Sequence, residues 1–247
     1  MRRVRIVGPG RAGRSLARAL AAAGWEVAGV LGRGDDVAGA GDGVDLVVLA
    51  TPDAAIAEVA QRVRPRPGVV VAHLSGAAGL EVLAPHERRA AVHPLMALPT
   101  AEVGARRLRG GWFAVAGDPV ATEVVAALGG RAFVVDDADR PAYHEAAVVA
   151  SNHVVALLGQ VERLAAAVGV PFEAYLDLVA ATLDNVRDLG PGAALTGPAA
   201  RGDEDTIRAH MAALPPAERE AYAALADAAR RLAADHRARA RTPEEPT

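Results

Sequence analysis

Histidine, serine and asparagine side chains that could polarise a carbonyl and deliver a proton fall in two places along the chain. His93 comes immediately before a proline, which holds it extended, and a histidine can donate a hydrogen bond or a proton near neutral pH. Ser151, Asn152 and His153 are consecutive on a predicted helix, where Asn152 shares a face with His144 eight residues earlier. A buried helical asparagine is costly unless its amide is used. The catalytic candidates are therefore His93, Ser151, Asn152 and His153. A structural role is the alternative for both of the main candidates. His93 could simply cap a strand, and Asn152 could form a hydrogen bond between the two domains.

Three further residues could bind a small anionic substrate. Arg201 and Thr196 lie in a loop rich in glycine and proline, and a guanidinium there could clamp a carboxylate. His73 ends a predicted strand at the same sheet edge as His93, although a purely structural role would also explain it. A structural turn in which Arg201 pairs with Asp203 is the alternative for the loop. No spacing of His, Asp and Glu predicts a metal site.

Composition removes several kinds of chemistry. All the basic residues are arginines and cysteine is absent, so a Schiff-base lysine, a lysine general acid and a thiolate nucleophile are excluded. The net charge of −3 argues against a nucleic-acid binder driven by an overall basic field. The chain has neither a leader pattern nor an apolar run long enough to cross a membrane. We therefore expect a cytoplasmic protein that binds neither nucleic acid nor membrane.

The elements that must position these groups begin with a glycine-rich turn. An apolar run over residues 4–7 leads into a G-x-G-x-x-G sequence, which is followed by apolar residues at helical spacing. The first glycine allows the tight turn, the second lets the backbone approach a pyrophosphate, and the third lets the helix pack close to the strand. This pattern predicts a dinucleotide site, with a purely structural turn as the alternative. Its predicted residues are Gly8, Pro9, Gly10, Arg11, Ala12 and Gly13.

The end of the second predicted strand favours NADP. Enzymes that use NAD usually place an acid there to bind the ribose 2′-hydroxyl, whereas this chain has Gly32 and Arg33. A guanidinium at that point would pair with a 2′-phosphate. Asp35 or Asp36 could still reach the ribose, so NAD is the alternative cofactor and a solvated loop arginine the alternative role.

Thr51 and Pro52 end another apolar run and are also predicted to bind the cofactor. Ligands of open α/β sheets lie outside the carboxyl ends of the strands, so these residues would line the path of the ribose and nicotinamide. An ordinary strand-to-helix turn with Asp53 as the N-cap explains the same pattern.

Strands alternate with helices up to residue 137 and no strand is predicted beyond it. We therefore predict an α/β protein in which a doubly wound parallel-sheet Rossmann domain, residues 1–137, is followed by an all-helical domain, residues 138–241, and by a disordered polar tail, residues 242–247. Helices are predicted over residues 138–168, 172–189, 203–213 and 216–239 of the second part, with a Gly/Pro loop over 190–202. The predicted strands are residues 4–7, 26–31, 44–50, 69–74, 90–92, 112–116 and 132–135.

Several of these motifs together resemble a group in which an NADP-binding Rossmann-like domain precedes a helical domain of unknown function. The group is similar to ketopantoate reductases, pyrroline-5-carboxylate reductases and deazaflavin-dependent NADP oxidoreductases. The resemblance extends from Gly8 to about Ala223. It is carried by residues 8–13, 73–76, 93–95, 151–153 and 194–210.

The resemblance implies an oxidoreductase with a C-terminal domain of the 6-phosphogluconate dehydrogenase type, dimeric through its helices. Relatives of that type place a catalytic lysine four residues before a helical asparagine. Aligning that asparagine with Asn152 puts Val148 in the position of the lysine, so their acid–base mechanism cannot be transferred unchanged.

Residues and resemblance together predict a reductase that uses NADPH to reduce a small carboxylate-bearing ketone or imine, of the kind ketopantoate reductase handles. In this hypothesis Asn152, with His93 or His153, polarises the carbonyl, and Arg201 binds the carboxylate. One alternative is a prephenate- or arogenate-type dehydrogenase, suggested by the His-Pro pair. The other is a protein that binds NADP as a sensor or structural ligand without catalysis.

Overall fold

The computed structural model describes residues 1–241, so the predicted tail over 242–247 lies outside the described residues. The chain divides into two compact units, the first ending at His153 and the second beginning at Val154. None of the helices described in either unit combines the length and apolarity needed to cross a membrane.

The first unit is built on a seven-stranded sheet with the order β2-β1-β3-β4-β5-β6-β7. Neighbouring strands are parallel except for β5 and β6, which are antiparallel. Because β1 lies between β2 and β3, the strand order reverses at β1, and ligands of such sheets bind at this point. The strands are β1 (Arg3–Val7), β2 (Glu26–Leu31), β3 (Leu46–Leu49), β4 (Val70–His73), β5 (Arg89–Pro94), β6 (Trp112–Gly117) and β7 (Arg131–Val134).

The doubly wound sheet predicted from the sequence is confirmed, but the expectation that every strand is parallel is wrong at one point. Pro94 at the end of β5 pairs with Phe113 near the start of β6. The connection from β5 to β6 therefore begins and ends at the same end of the sheet, whereas a connection between parallel strands would run back to the opposite end. That connection contains α3 (Ala101–Leu108), which the sequence analysis missed although Thr100 caps it by accepting the Val103 N–H at 3.2 Å.

Three more helices cover the sheet, namely α1 (Arg11–Ala22), α2 (Ile56–Arg62) and α4 (Val120–Ala127). Strand β3 shows that both faces are covered. Leu46 and Val48 pack in the cluster that includes α1 and α4, and Val47 and Leu49 pack in the cluster that includes α2. Since successive residues of a strand point to opposite faces, a strand buried on both sides reads as a continuous apolar run.

The single helix expected over 138–168 is three segments. α5 (Arg140–Val148) is followed by a π-helical turn (Val149–His153) and then by α6 (Val154–Ala167), which opens the second unit. A π turn is wider than an α-helical turn and is often found at functional sites. Because it holds more residues per turn, the α-helical spacing that would put His144 and Asn152 on one face does not hold between them.

The second unit consists of helices, as the sequence predicts. α7 (Phe172–Ala194) contains a kink at Gly190 (φ 76°, ψ 160°), directly after the predicted helix end at residue 189. The predicted loop over 190–202 holds the end of α7 and the short α8 (Pro198–Arg201). α9 (Glu204–Ala213) begins after Asp203, whose carboxylate accepts the Thr206 N–H at 3.1 Å. α10 (Pro216–Arg241) packs against α7, α8 and α9.

Candidate functional site

The glycine-rich turn has the close backbone contacts that its sequence predicts. Gly8 follows β1 with φ 118°, and a Cβ built there would lie 2.4 Å from the carbonyl oxygen of Ala50. A Cβ on Gly13 would lie 2.0 Å from the carbonyl oxygen of Gly8. At Gly10, by contrast, a Cβ would meet nothing within 4 Å. The first and third glycines are therefore required by packing within the protein, whereas the second faces open space.

The start of α1 at this turn is available to a negatively charged group. Gly10 is the N-cap and makes no side-chain cap, and the first turn of α1 has no acidic residue. Backbone N–H groups and the helix dipole at such an end favour a phosphate. Pro9, Gly10 and Arg11 are exposed, so residues 8–13 fit a pyrophosphate group.

At the end of β2 the acidic side chains bind local backbone groups. Asp35 accepts the Gly32 N–H at 2.6 Å, and Asp36 accepts the Ala38 N–H at 2.9 Å. Arg33 is exposed and has no hydrogen-bond or ion-pair partner in the described part of the chain. The group free to bind a ligand beyond this strand is therefore a guanidinium.

The turn after β3 was predicted either to line the cofactor path or to be an ordinary strand-to-helix turn capped by Asp53, and the cap is not found. Helix α2 has Ala55 as its N-cap, so the expectation that Asp53 caps it is wrong. The Asp53 carboxylate instead accepts the hydroxyl proton of Ser75 at 2.7 Å, since a short 3₁₀ turn (Asp53–Ala55) separates it from the helix start. Pro52 is exposed, and Thr51 has a buried hydroxyl without a partner.

His73 and Ser75 are used inside the protein. The Nδ1 atom of His73 accepts the Ser75 N–H at 3.2 Å, so Nε2 carries the ring proton and donates it to the carbonyl of Gly79 at 3.3 Å. Burial, and secondarily Arg140, lowers the pKa of His73. With both ring nitrogens engaged, His73 fits a structural role better than substrate binding.

His93 lies in a cluster of aromatic rings at the end of β5. Its Nδ1 atom is 2.6 Å from the hydroxyl oxygen of Tyr143, and the two rings meet edge to face. The ring of His144 lies 6.0 Å from that of His93, centroid to centroid. A Cβ on Gly76 would lie 2.7 Å from Nδ1 of His144 and 3.0 Å from Nε2 of His93, so the backbone at Gly76 lies directly against both imidazoles.

The charges in this cluster are set by burial. Burial, together with the nearby His144 and Arg140, lowers the pKa of His93 to about 4, so its imidazole is neutral at pH 7. Burial raises the pKa of Tyr143, and Arg140 opposes that rise. At neutral pH the pair is therefore a neutral imidazole and a protonated phenol that share a hydrogen bond.

Tyr143 was missed by the sequence analysis, and His144 entered it merely as a neighbour of Asn152. Both lie in the first two turns of α5. The adjacent Tyr-His pair near the start of the first helix after the sheet could have been noticed in the sequence. It could not have been assigned to the site without knowing that α5 packs beside the end of β5.

The three consecutive candidates Ser151, Asn152 and His153 lie on the π turn. All three are exposed, and Ser151 donates its hydroxyl proton to the amide oxygen of Asn152 at 3.0 Å. Among the residues that the structure describes, Asn152 makes no hydrogen bond with the cluster around His93. Their catalytic roles stay predictions.

Thr196 and Arg201 belong to the second unit. Both are exposed; Thr196 precedes α8 and Arg201 ends it. Their predicted role in binding a substrate carboxylate stays a prediction.

Arg140, the first residue of α5, is buried beside the ring cluster and was also missed. Its side chain is 0% exposed, and its Nε donates to Asp137 at 3.0 Å. Both of its terminal amino groups are buried without a hydrogen-bond partner. No group of three His, Asp or Glu side chains within residues 1–241 is placed to hold a metal ion.

Comparison with known families agrees with a Rossmann-like domain followed by a second domain. Residues 35–99 match the Rossmann-like domain family, and residues 113–229 match a domain of unknown function, DUF2520. The chain joins a Rossmann-like domain to a DUF2520 domain. The second match includes Tyr143, His144 and the whole π turn. No curated protein matches the sequence.

Solved structures share the fold at low sequence identity. A presumed NADP oxidoreductase from Bacteroides fragilis is 21% identical with a TM-score of 0.80, over 93% of this chain and 98% of that chain. A protein from Thermotoga maritima is 24% identical with a TM-score of 0.71, over 95% and 99%. Plasmodium falciparum pyrroline carboxylate reductase with NADP bound is 12% identical with a TM-score of 0.61, over 94% and 98%. These similarities establish the fold.

Proposed function

We propose that the protein is an oxidoreductase that uses NADPH to reduce a small carboxylate-bearing ketone or imine. The observation that carries this proposal is the meeting, at one edge of the sheet, of an uncapped helix start after a glycine turn and a histidine–tyrosine pair. Parallel strands bring the ends of β1, β3, β4 and β5 to that edge. The oxidoreductases named among the structures of the same fold support the proposal.

The residues that would hold the cofactor have the shapes and charges it requires. Open space at Gly10 and the free N–H groups of α1 fit the pyrophosphate. The unpaired guanidinium of Arg33 fits a 2′-phosphate, while Asp35 and Asp36 are bonded to backbone groups. When bound, NADPH supplies the hydride.

The protein's own contribution is to polarise the carbonyl or imine and to deliver a proton. If the hydroxyl of Tyr143 donates to Nδ1 of His93, the ring proton lies on Nε2, the ring nitrogen that lies beside Gly76. A neutral imidazole can polarise a carbonyl through such an N–H. The substrate atom would take the Nε2 proton while Nδ1 takes the proton of Tyr143. The positive charge of Arg140 would favour the resulting tyrosinate.

This arrangement provides a proton donor in a chain that has no lysine. Asn152 could add a hydrogen bond to the reacting oxygen, as the sequence predicts. The proton route itself needs His93 and Tyr143 and does not depend on Asn152.

The proposal is tested by mixing the protein with NADPH and a panel of 2-oxo acids and cyclic imines, and measuring the loss of NADPH absorbance. With a substrate found, Tyr143→Phe should lower turnover by about 100-fold or more, as expected when a general acid is lost, and leave NADPH affinity unchanged. Tyr222→Phe is the matched control, because Tyr222 also bonds a histidine Nδ1 at 2.6 Å, that of His210. NADPH binding without oxidation of any panel member would favour a sensor, and full activity in Tyr143→Phe would refute the proton route.

Arg33 tests the choice of cofactor separately. Arg33→Ala should weaken NADPH binding by about 10-fold or more, because a charge-assisted contact with the 2′-phosphate is lost, and should leave NADH binding unchanged. Fluorescence titration with both nucleotides measures this. Arg62→Ala, at another exposed arginine, controls for a general change of surface charge. Equal losses for NADPH and NADH would contradict the assignment of Arg33.

A further inference from the structure

Arg140 has more hydrogen-bond donors than its surroundings accept. Its Nε donates to one oxygen of Asp137, and the other oxygen of Asp137 accepts the Leu80 N–H at 2.8 Å. The two terminal amino groups, which carry four of the five guanidinium protons, have no partner and are buried. A fully buried guanidinium left partly unpaired is costly, and neither the proton route nor the nucleotide turn uses it as a binding group.

The neighbouring groups pair with the charge of Arg140 but do not use most of its N–H donors. One carboxylate, that of Asp137, contacts Arg140. The charge of Arg140 acts to lower the pKa of His73, His93 and Tyr143. All three side chains are neutral at pH 7. Asp53 also acts on both histidines, but its carboxylate is bonded to Ser75. The carboxylate of Asp137 therefore balances the charge of Arg140 but leaves its two terminal amino groups without an acceptor.

We propose that the two free amino groups of Arg140 form a binding site for a small carboxylate. Two parallel N–H groups on a planar fork match the two oxygens of a carboxylate. That the bound anion is the carboxylate of the substrate rests on the proposed function; the anion site itself does not. On that function, Arg140 rather than the exposed Arg201 anchors the substrate, next to the imidazole of His93 that polarises its carbonyl.

The segment over residues 75–79 connects the histidine pair with Asp137, the partner of Arg140. It is Ser-Gly-Ala-Ala-Gly, so beyond Ser75 no side chain in it is larger than a methyl group. Its Gly76 end touches the two imidazoles, and its Gly79 end lies against Asp137. Because the Arg140 side chain is 0% exposed, little room is left for a ligand at its amino groups. The site therefore suits an anion as small as pyruvate.

The site is tested by calorimetric titration of the full chain with pyruvate, in the absence of any nucleotide, so that neither cofactor binding nor turnover is involved. Methyl pyruvate, which lacks the carboxylate charge, is the matched ligand. Pyruvate should bind saturably and the ester at least about 10-fold more weakly. Arg140→Met should lose pyruvate binding, and Arg140→Lys, which keeps the charge without the fork, should weaken it by about 10-fold.

Two further variants separate the possible outcomes. Arg62→Met makes the same change at an exposed arginine and should bind pyruvate as the parent does. Arg201→Met tests the competing anchor. Three outcomes would each overturn the proposal. They are loss of binding in Arg201→Met but not in Arg140→Met, equal binding of ester and acid, and no saturable binding by the parent.

If Arg140→Met does not fold, Arg140→Lys still tests the site. Full pyruvate affinity in Arg140→Lys would overturn the bidentate site. Anion binding without any NADPH oxidation would leave the site standing and count against the proposed function.

Discussion

At the scale of single residues, the protonation of His93 is coupled to folding. Burial lowers its pKa from 6.5 to about 4, so between these pH values the unfolded chain binds a proton that the folded chain does not. The contribution of His93 to stability is therefore complete above pH 6.5 and is lost as the pH falls to 4. A difference of that size corresponds to about 3 kcal/mol of unfolding free energy.

Replacing His93 should flatten that dependence. In His93→Gln, the fall in unfolding free energy between pH 7 and pH 4 should be smaller by about 3 kcal/mol, measured by urea denaturation at a series of pH values. Some dependence should remain, because the pKa of the buried His73 is lowered as well. His153→Gln, at an exposed histidine, should keep the full slope. An unchanged slope in His93→Gln would show that His93 is not held neutral by the fold.

The sequence identified His93 but not its partners, for a physical reason. A histidine before a proline at a strand end can be recognised locally, since both features depend on neighbouring residues. The contacts of His93 with Tyr143 and Gly76 join positions 50 and 17 residues away, and they depend on how α5 packs. Arg140 was missed for the same reason, because its burial is a property of the packed unit.

At the scale of elements, the three glycines of the turn serve different purposes and can be separated. Gly13→Ala should destabilise the fold by about 1–3 kcal/mol, because its Cβ would lie 2.0 Å from a backbone oxygen. Gly10→Ala should cost under about 1 kcal/mol, the difference between glycine and alanine at an N-cap, yet weaken NADPH binding because the new methyl group occupies the approach to the helix start.

Thermal denaturation and NADPH titration of the two variants measure these effects. Gly159→Ala, which adds a methyl group 3.6 Å from the side chain of Arg163 on α6 in the second unit, is a control for Gly10→Ala. Normal NADPH affinity in Gly10→Ala would mean that the backbone at Gly10 does not approach the cofactor.

The elements themselves were largely predictable from local patterns. Apolar runs predicted all seven strands, and the Gly/Pro loop over 190–202 predicted where the helices on either side of it end and begin. Two features were not predictable. The direction of β6 depends on which edge the β5–β6 connection returns to, and the π turn at 149–153 leaves no periodicity that distinguishes it from a continuous helix.

At the scale of the whole molecule, α7 exposes several of its leucines. None of its residues is buried within the chain. Leu178, Leu183 and Leu189 are 62%, 54% and 60% exposed. Large exposed apolar side chains can mark protein–protein interfaces, and a second copy of the chain is the partner that the sequence predicts. We therefore propose that the protein is a homodimer through its helical domain.

Charge introduced on α7 tests this dimer. Sedimentation should give a dimer for the parent chain and a monomer for the double variant Leu178→Glu/Leu183→Glu, because burying two carboxylates in an apolar interface costs more than the contacts gain. Val134→Glu, at a 73% exposed position on β7 in the first unit, makes the same kind of change outside the helical domain and should remain dimeric. Circular dichroism of all three establishes that the helices are intact. A monomeric parent at micromolar concentration would refute the dimer, and a dimeric double variant would place the interface away from α7.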